Sequence, residues 1–172
     1  GNAPADVREN AVLRAALEAQ PTAPPPAGHI WLGAPNAIKG PTEAVFHRQS
    51  GNNLLMVGQR DEATLAILSV ALVSLAAQYP RGAVRFVLVD STAPGSPPRE
   101  FLERVTAAIP HELTVAKSGD LAEVLSDLTA EMKRRADGEH GSDAPATFLF
   151  IYGLQNFKKL RQEDEFSFSS GE

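Results

Sequence analysis

The chain has 172 residues, of which 43% are hydrophobic and 22% charged, and its formal net charge is −5. This composition is typical of a globular protein with enough chain to bury one core, and the acidic balance gives no electrostatic footprint for nucleic acid. Because the sequence contains no cysteine, disulfides, thiolate nucleophiles and zinc–thiolate sites are excluded. We expect a cytoplasmic protein.

The N-terminal region divides into a predicted helix and a linker. From Asp6 onwards, apolar residues recur at helical spacing, with Asp6 as the predicted N-cap and Glu9 completing a capping box. Four prolines interrupt residues 21–28, and proline favours extended backbone over helix. We therefore assign residues 1–28 to an N-terminal helix and proline-rich linker, and residues 29–172 to the main domain.

A small antiparallel hairpin is predicted after the linker. Short apolar runs at 29–33, 37–39 and 44–47 are separated by turn residues rich in glycine and proline. We expect these strands to lead into the central strand and to pack on an edge of the main sheet.

The central stretch reads as strand, turn and helix. Residues 54–57, Leu-Leu-Met-Val, form a short apolar run ended by Gly58 and followed by a long apolar helix, which is the pattern of a buried parallel strand. A phosphate-binding loop at this place would read G-x-x-x-x-G-K-[ST], where the lysine reaches the phosphates and the hydroxyl holds Mg²⁺. Here Ala63 replaces the second glycine, and the lysine and hydroxyl positions fall on Thr64 and Leu65.

Strands and helices alternate through the rest of the chain. The predicted elements are strand 84–90, helix 99–108, strand 112–116, helix 120–135 with Asp120 as its cap, and strand 145–153. This alternation predicts an α/β fold with a mainly parallel sheet, covered on both faces through right-handed crossovers. The longest apolar stretch, residues 65–77, is shorter than the roughly twenty residues that span a bilayer, so we expect a buried helix and no membrane partner.

The order of these signals resembles the motor domain of the FtsK/SpoIIIE family of DNA translocases. The resemblance covers residues 29–160, and its segments are a lead-in at 39–50, Asn-Leu-Leu-Met-Val-Gly at 53–58, Val-Arg-Phe-Val-Leu-Val-Asp at 84–90, Ile-Pro-His at 109–111, Glu-Met-Lys-Arg-Arg at 131–135 and the apolar strand at 148–152. It implies a three-layer RecA-like P-loop ATPase fold with degenerate Walker motifs. The larger members assemble as hexamers that pump double-stranded DNA.

The departures from that family bear on catalysis. The family's acidic pair, which holds Mg²⁺ and activates water, would fall on Tyr152 and Gly153. Phosphoryl transfer needs a phosphate cradle, a metal and a positioned water together. The resemblance implies an ATPase, but we expect negligible hydrolysis by this chain alone, with no catalytic residue and no metal ligand.

The degenerate phosphate loop is the candidate cofactor-binding site. Its residues are Gly58, Gln59, Arg60, Asp61, Glu62, Ala63 and Thr64. Gly58 and the helix N-terminus still offer N–H groups and a positive dipole end, which leaves weak binding of ATP and Mg²⁺ open. Asp61 and Glu62 oppose a phosphate, and we favour their role in stabilising the first helical turn.

Several other polar residues are candidates for either a functional or a structural role. Asp90 at a strand end is either a ligand residue or the cap of the following turn. The four histidines lack metal-ligand spacing, and we read His111 as structural. The basic clusters 133–135 and 158–161 either contact DNA phosphates or are solvated helix ends, which we favour. Polar residues that could contact a neighbouring subunit at the strand-end rim are Arg60, Gln155 and Asn156.

Three functional hypotheses follow. The first is a non-catalytic structural or assembly module that sits beside other P-loop domains or self-associates, with DNA reached through the assembly. The alternative is an ATP-binding motor domain of a DNA translocase involved in cell division and DNA segregation. A third is a small-molecule-binding domain that uses the crevice above Gly58 and Asp90. Because residues 166–172 have no pattern that closes a helix or strand, we expect a piece of a longer protein.

Overall fold

A computed structural model of the chain describes residues 6–33, 40–49, 51–138 and 144–157. In chain order the helices and strands are α1 (Ala11–Glu18), β1 (Ala27–Gly33), β2 (Thr42–His47), α2 (Asp61–Gln78), β3 (Val84–Asp90), α3 (Pro97–Ala107), β4 (Glu112–Lys117), α4 (Leu121–Ala136) and β5 (Ala146–Tyr152). Short 3₁₀ turns lie at Val7–Glu9, Ser118–Asp120 and Leu154–Asn156. The predicted α/β class is confirmed.

The main sheet has three parallel strands in the order β4-β3-β5. β3 lies in the middle and is buried at all positions except Arg85, which explains why its sequence is a nearly continuous apolar run. In the part of the chain that the structure describes, the outer edges of β4 and β5 have no strand partner.

Helices cover both faces of this sheet. α2 and α3 lie on the face that carries Phe86 and Leu88, and the Phe86 ring stacks on the Phe148 ring at 6.1 Å. α4 lies on the opposite face, where Leu121 packs with Val89. These layers match the predicted parallel sheet covered on both sides.

The β1–β2 hairpin forms a separate antiparallel sheet. It packs on α2, where the Gln78 amide accepts a hydrogen bond from His29 N at 3.0 Å and donates one to His29 O at 2.6 Å. The predicted hairpin is confirmed, but it joins the fold through α2 without pairing to the edge of the main sheet. β1 begins at Ala27, inside the predicted linker, and the predicted strand 37–39 lies outside the described residues.

The N-terminal helix is present, but its predicted cap is wrong. α1 begins at Ala11 because Asn10 accepts a hydrogen bond from Leu13 N at 3.1 Å, and its amide also donates to Trp31 O at 3.0 Å. Asp6 caps the preceding 3₁₀ turn instead, by accepting a hydrogen bond from Arg8 N. The long-range contact to β1 thus decides which of the two side chains starts the helix.

The expected central strand at residues 54–57 is also wrong. This stretch, called the 54–57 segment below, belongs to no strand, and its side chains are between 37% and 90% exposed. The Asn52 side chain accepts a hydrogen bond from His47 N and donates one to Gln49 O. The chain therefore leaves β2 in a tight turn, and the 54–57 segment runs outside the sheet.

Among the described residues, α2 is the one helix long and apolar enough to cross a membrane. A soluble core helix meets the same criterion. Eight of its residues are buried, including Leu72 and Leu75, and it contacts β1, α1 and α3. These contacts support the interpretation of α2 as a core helix.

Candidate functional site

The N-terminus of α2 lies at the carboxyl edge of the parallel sheet. Tyr152, the last residue of β5, packs in one cluster with Leu65 and Leu68 of α2. Burial raises the pKa of the Tyr152 phenol above its usual value, and the nearby carboxylates of Asp61 and Asp90 raise it further. The ends of β3, β5 and α2 therefore meet where open α/β sheets bind ligands.

The predicted phosphate loop lies at this meeting point, but it is not a strand-to-helix turn. Gly58 follows no strand, and residues 58–63 are exposed. Arg60 is the N-cap residue of α2, and no side chain caps this helix end. The first N–H groups of the helix therefore face outwards, as in an anion-binding helix terminus.

The two positions that would carry the lysine and the metal-binding hydroxyl have other roles. The Thr64 hydroxyl donates a hydrogen bond to Arg60 O at 3.1 Å, which directs it onto the helix backbone. Leu65 is 6% exposed and packs against Leu88 and Tyr152 in the core. Neither side chain is therefore placed to hold a phosphate or Mg²⁺.

The charges at this helix end are mixed. Asp61 and Glu62 lie in the first turn of α2, where carboxylates are stabilised by the helix dipole. Arg60 adds one exposed cation beside them. Two carboxylates against one guanidinium give a local field that disfavours a polyphosphate.

A shallow groove of about 270 Å³ lies between the end of the 54–57 segment and the first turns of α2. Its lining residues are Met56, Val57, Gly58, Gln59, Arg60, Ala63, Thr64 and Ile67. We call it the apolar groove, because most of its exposed lining is apolar, with Met56, Val57 and Ile67 as its large apolar side chains. None of its lining residues forms a nucleophile–base pair.

Asp90 is the cap of the turn after β3, and the ligand reading of this residue finds no support. It is 1% exposed, and its carboxylate accepts hydrogen bonds from Thr92 N at 2.8 Å and Thr92 Oγ1 at 2.9 Å. Arg99 Nη1 forms an ion pair with it at 3.0 Å. Sequence reasoning missed Arg99, although a buried carboxylate at a strand end calls for a cation in the next element.

A small hydrogen-bonded group occupies the place where the resemblance puts the metal-holding acids. Asn156 Nδ2 donates to Ser91 Oγ at 3.0 Å, and Ser91 Oγ donates to Gly153 O at 3.4 Å. Gly153 has a φ of +74°, in the left-handed region. The rim residue Asn156 is thus used to join the end of β5 to the loop after β3.

His111 and two residues of the basic cluster 133–135 have partners within the chain. His111 Nε2 donates to Tyr79 O at 2.9 Å, which supports its structural reading, since a carbonyl accepts only. The basic cluster 133–135 is partly neutralised, because Arg134 and Arg135 both pair with Glu131. The cluster 158–161 lies outside the described residues.

No metal-binding group is found within residues 6–33, 40–49, 51–138 and 144–157, where no three histidine, aspartate or glutamate side chains come together. Asp120 is the N-cap residue of α4 by position, as predicted, but its side chain forms no capping hydrogen bond to that helix. The Asp120 carboxylate accepts a hydrogen bond from Lys117 N at 3.0 Å instead.

The fold and this site define an α/β domain with an apolar groove beside an uncapped helix end. No protein-family profile, curated protein or solved structure matches the chain. The resemblance to FtsK/SpoIIIE translocases therefore remains a prediction from its residues.

Proposed function

We propose that this domain is a non-catalytic assembly module, a degenerate FtsK/SpoIIIE-like P-loop domain that binds another protein domain through the apolar groove. The observation that carries the proposal is the exposure of Met56 and Val57 beside the groove, with Val57 90% exposed. Contiguous exposed apolar side chains are typical of protein-interaction sites.

The chemistry of the helix end supports a binding role over hydrolysis. Thr64 and Leu65 stand where a lysine and a metal-binding hydroxyl are needed, and both are engaged in the helix and the core. Electrostatic groups of this kind contribute orders of magnitude to phosphoryl transfer. Without these groups the helix end cannot accelerate phosphoryl transfer, whereas the apolar groove beside it can still bind a protein.

The partner we propose is another P-loop domain, in a neighbouring part of a longer chain, in a complex, or in a second copy. DNA would be reached through that assembly, since the chain carries a net charge of −5 and a module that binds DNA directly is normally basic.

Light scattering at rising protein concentration tests self-association. We expect the wild-type mass to rise above the monomer, and Val57→Asp to return it to the monomer, because a carboxylate in the groove has to be desolvated on binding. Val12→Asp is the control, since Val12 is an exposed valine of α1 that does not line the groove. A wild-type chain that stays monomeric, and that binds no other P-loop domain in a pull-down, would refute the proposal.

One observation favours a second candidate, an ATP-binding motor domain. The uncapped end of α2 at the carboxyl edge of the sheet offers N–H groups to an anion. Calorimetry with ATP and Mg²⁺ at millimolar nucleotide separates the two functions. The assembly proposal expects no heat. Heat that grows in the Asp61→Asn, Glu62→Gln double variant would favour the nucleotide-binding function.

A further inference from the structure

The main sheet is open at the outer edge of β5, and the chain also contains an apolar segment that belongs to no strand. β5 pairs with β3 on one side, and its outer edge has no strand partner among the described residues. Open strand edges readily accept another strand. The 54–57 segment is apolar and exposed, and it is the part of the chain that immediately precedes α2.

The two crossovers of the sheet fix its handedness. α3 connects β3 to β4 on the face that carries Phe86 and Leu88. α4 connects β4 to β5 on the opposite face, which carries Val89. The two connections cross opposite faces of the sheet in opposite directions, so both crossovers have the same handedness. Crossovers between parallel strands are almost always right-handed.

The same rule decides where the 54–57 segment belongs if it joins the sheet. It connects to β3 through α2, which lies on the same face as α3. A right-handed crossover on that face steps from β5 towards β4. The segment must therefore start on the β5 side of β3, and the open position there is the outer edge of β5. Pairing with the outer edge of β4 would need a left-handed crossover.

The connection length agrees with this placement. Residues 58–60 separate the segment from α2, and loops of two to six residues are usual between a strand and a helix. The first turns of α2 lie beside Tyr152, the last residue of β5. A strand that ends at Val57 would therefore end level with β5 and run parallel to it.

We propose that the 54–57 segment is a detachable strand that docks on the outer edge of β5 as the fourth strand of the sheet. Met56 and Val57 line the apolar groove in the detached form. Docking carries both side chains onto the sheet and removes that wall of the groove. The four-stranded sheet and the groove lined by Met56 and Val57 therefore cannot exist at the same time, whichever partner the groove binds.

Amide hydrogen exchange, resolved by NMR, tests the docking on the intact chain. Alternate residues of a parallel edge strand direct their N–H groups away from the single neighbour. We expect the outward amides of β5 to exchange at least about tenfold more slowly than the outward amides of β4, which nothing is proposed to cover. Equal exchange at the two edges would overturn the proposal, whatever the function of the domain.

A double variant tests whether the 54–57 segment is what protects the outer edge of β5. Leu54→Asp with Leu55→Asp places one carboxylate on each face of a docked strand, so one must be buried in any register. We expect the extra protection of β5 to disappear while the rest of the protein keeps its exchange rates. The control is Val7→Asp with Leu17→Asp, two positions 52% and 57% exposed, which should leave β5 protected. Protection that survives the Leu54, Leu55 variant would assign the cover to another part of the chain and overturn the proposal.

Discussion

Replacement of Gly153 by alanine is expected to weaken the carboxyl edge of the sheet. The glycine lies between β5 and the final 3₁₀ turn with φ +74° and ψ +45°. A Cβ at this position would collide with Ser91 Oγ and would lie 3.1 Å from Asn156 Nδ2. The substitution therefore strains the backbone and also displaces a side chain that forms hydrogen bonds.

The expected loss has two parts. A residue with a Cβ in the left-handed region costs about 1 kcal/mol. Displacing Ser91 breaks its exposed hydrogen bond with Asn156 and its partly buried one to Gly153 O, which together cost about 1 kcal/mol more. We expect Gly153→Ala to lower the free energy of unfolding by about 2 kcal/mol.

Gly82→Ala is the matched control. Gly82 has a φ of +82°, and no atom lies within 4 Å of a Cβ built there, so only the backbone cost of about 1 kcal/mol applies. Urea unfolding of the three proteins, followed by circular dichroism, gives the two differences. Equal losses for the two variants would show that Ser91 does not approach Gly153 as described, and would refute the reasoning.

Two further predictions concern buried polar groups. Arg99→Met should cost about 3 to 5 kcal/mol because it leaves the Asp90 carboxylate buried without its cation, whereas Arg134→Met, at an exposed ion pair, should cost about 1 kcal/mol or less; equal losses in urea unfolding would contradict the buried pair. Burial raises the pKa of both tyrosines of the chain, Tyr79 and Tyr152, above the ordinary value of a phenol. Their stabilisation is therefore complete below the unfolded pKa and is lost as the pH rises through the folded one. Native absorbance at 295 nm should show no phenol titrating at the value seen in denaturant, and Asp61→Asn should lower the pKa of Tyr152.

Strands β3 and β5 of the main sheet could be predicted from the pattern of their apolar residues. β3 and β5 are apolar runs bounded by turn residues, and the structure places both within two residues of the predicted bounds. The 54–57 segment carries the same signal and still lies outside the sheet. An apolar run indicates a preference for burial, but the partner edge and the Asn52 hydrogen bonds are properties of the folded chain.

Helix starts were predicted less well for a related reason. Asp6 and Asn10 are both good caps in isolation. Asn10 starts α1 because its amide also reaches Trp31 O, 21 residues further along the chain. No local pattern contains that contact.

Within the candidate site, the absence of the phosphate-binding residues could be predicted from the sequence, but the contacts that occupy the strand ends could not. The positions of Thr64 and Leu65 follow from counting along the sequence from Gly58. The pairing of Asp90 with Arg99, and the approach of Ser91 to Gly153, join residues from different elements. They require the crossover connections to be known first.

The attachment of the hairpin has a mechanical consequence. One side-chain amide, that of Gln78, bonds to both backbone groups of His29, and no ladder joins β1 or β2 to the parallel strands within the described chain. A pulling force applied at the N-terminus would therefore peel β1 from β2 and from α2 one bond after another. The parallel strands, loaded along their length, would have to shear all their bonds together, so tension on this chain would release α1 and the hairpin before the parallel sheet.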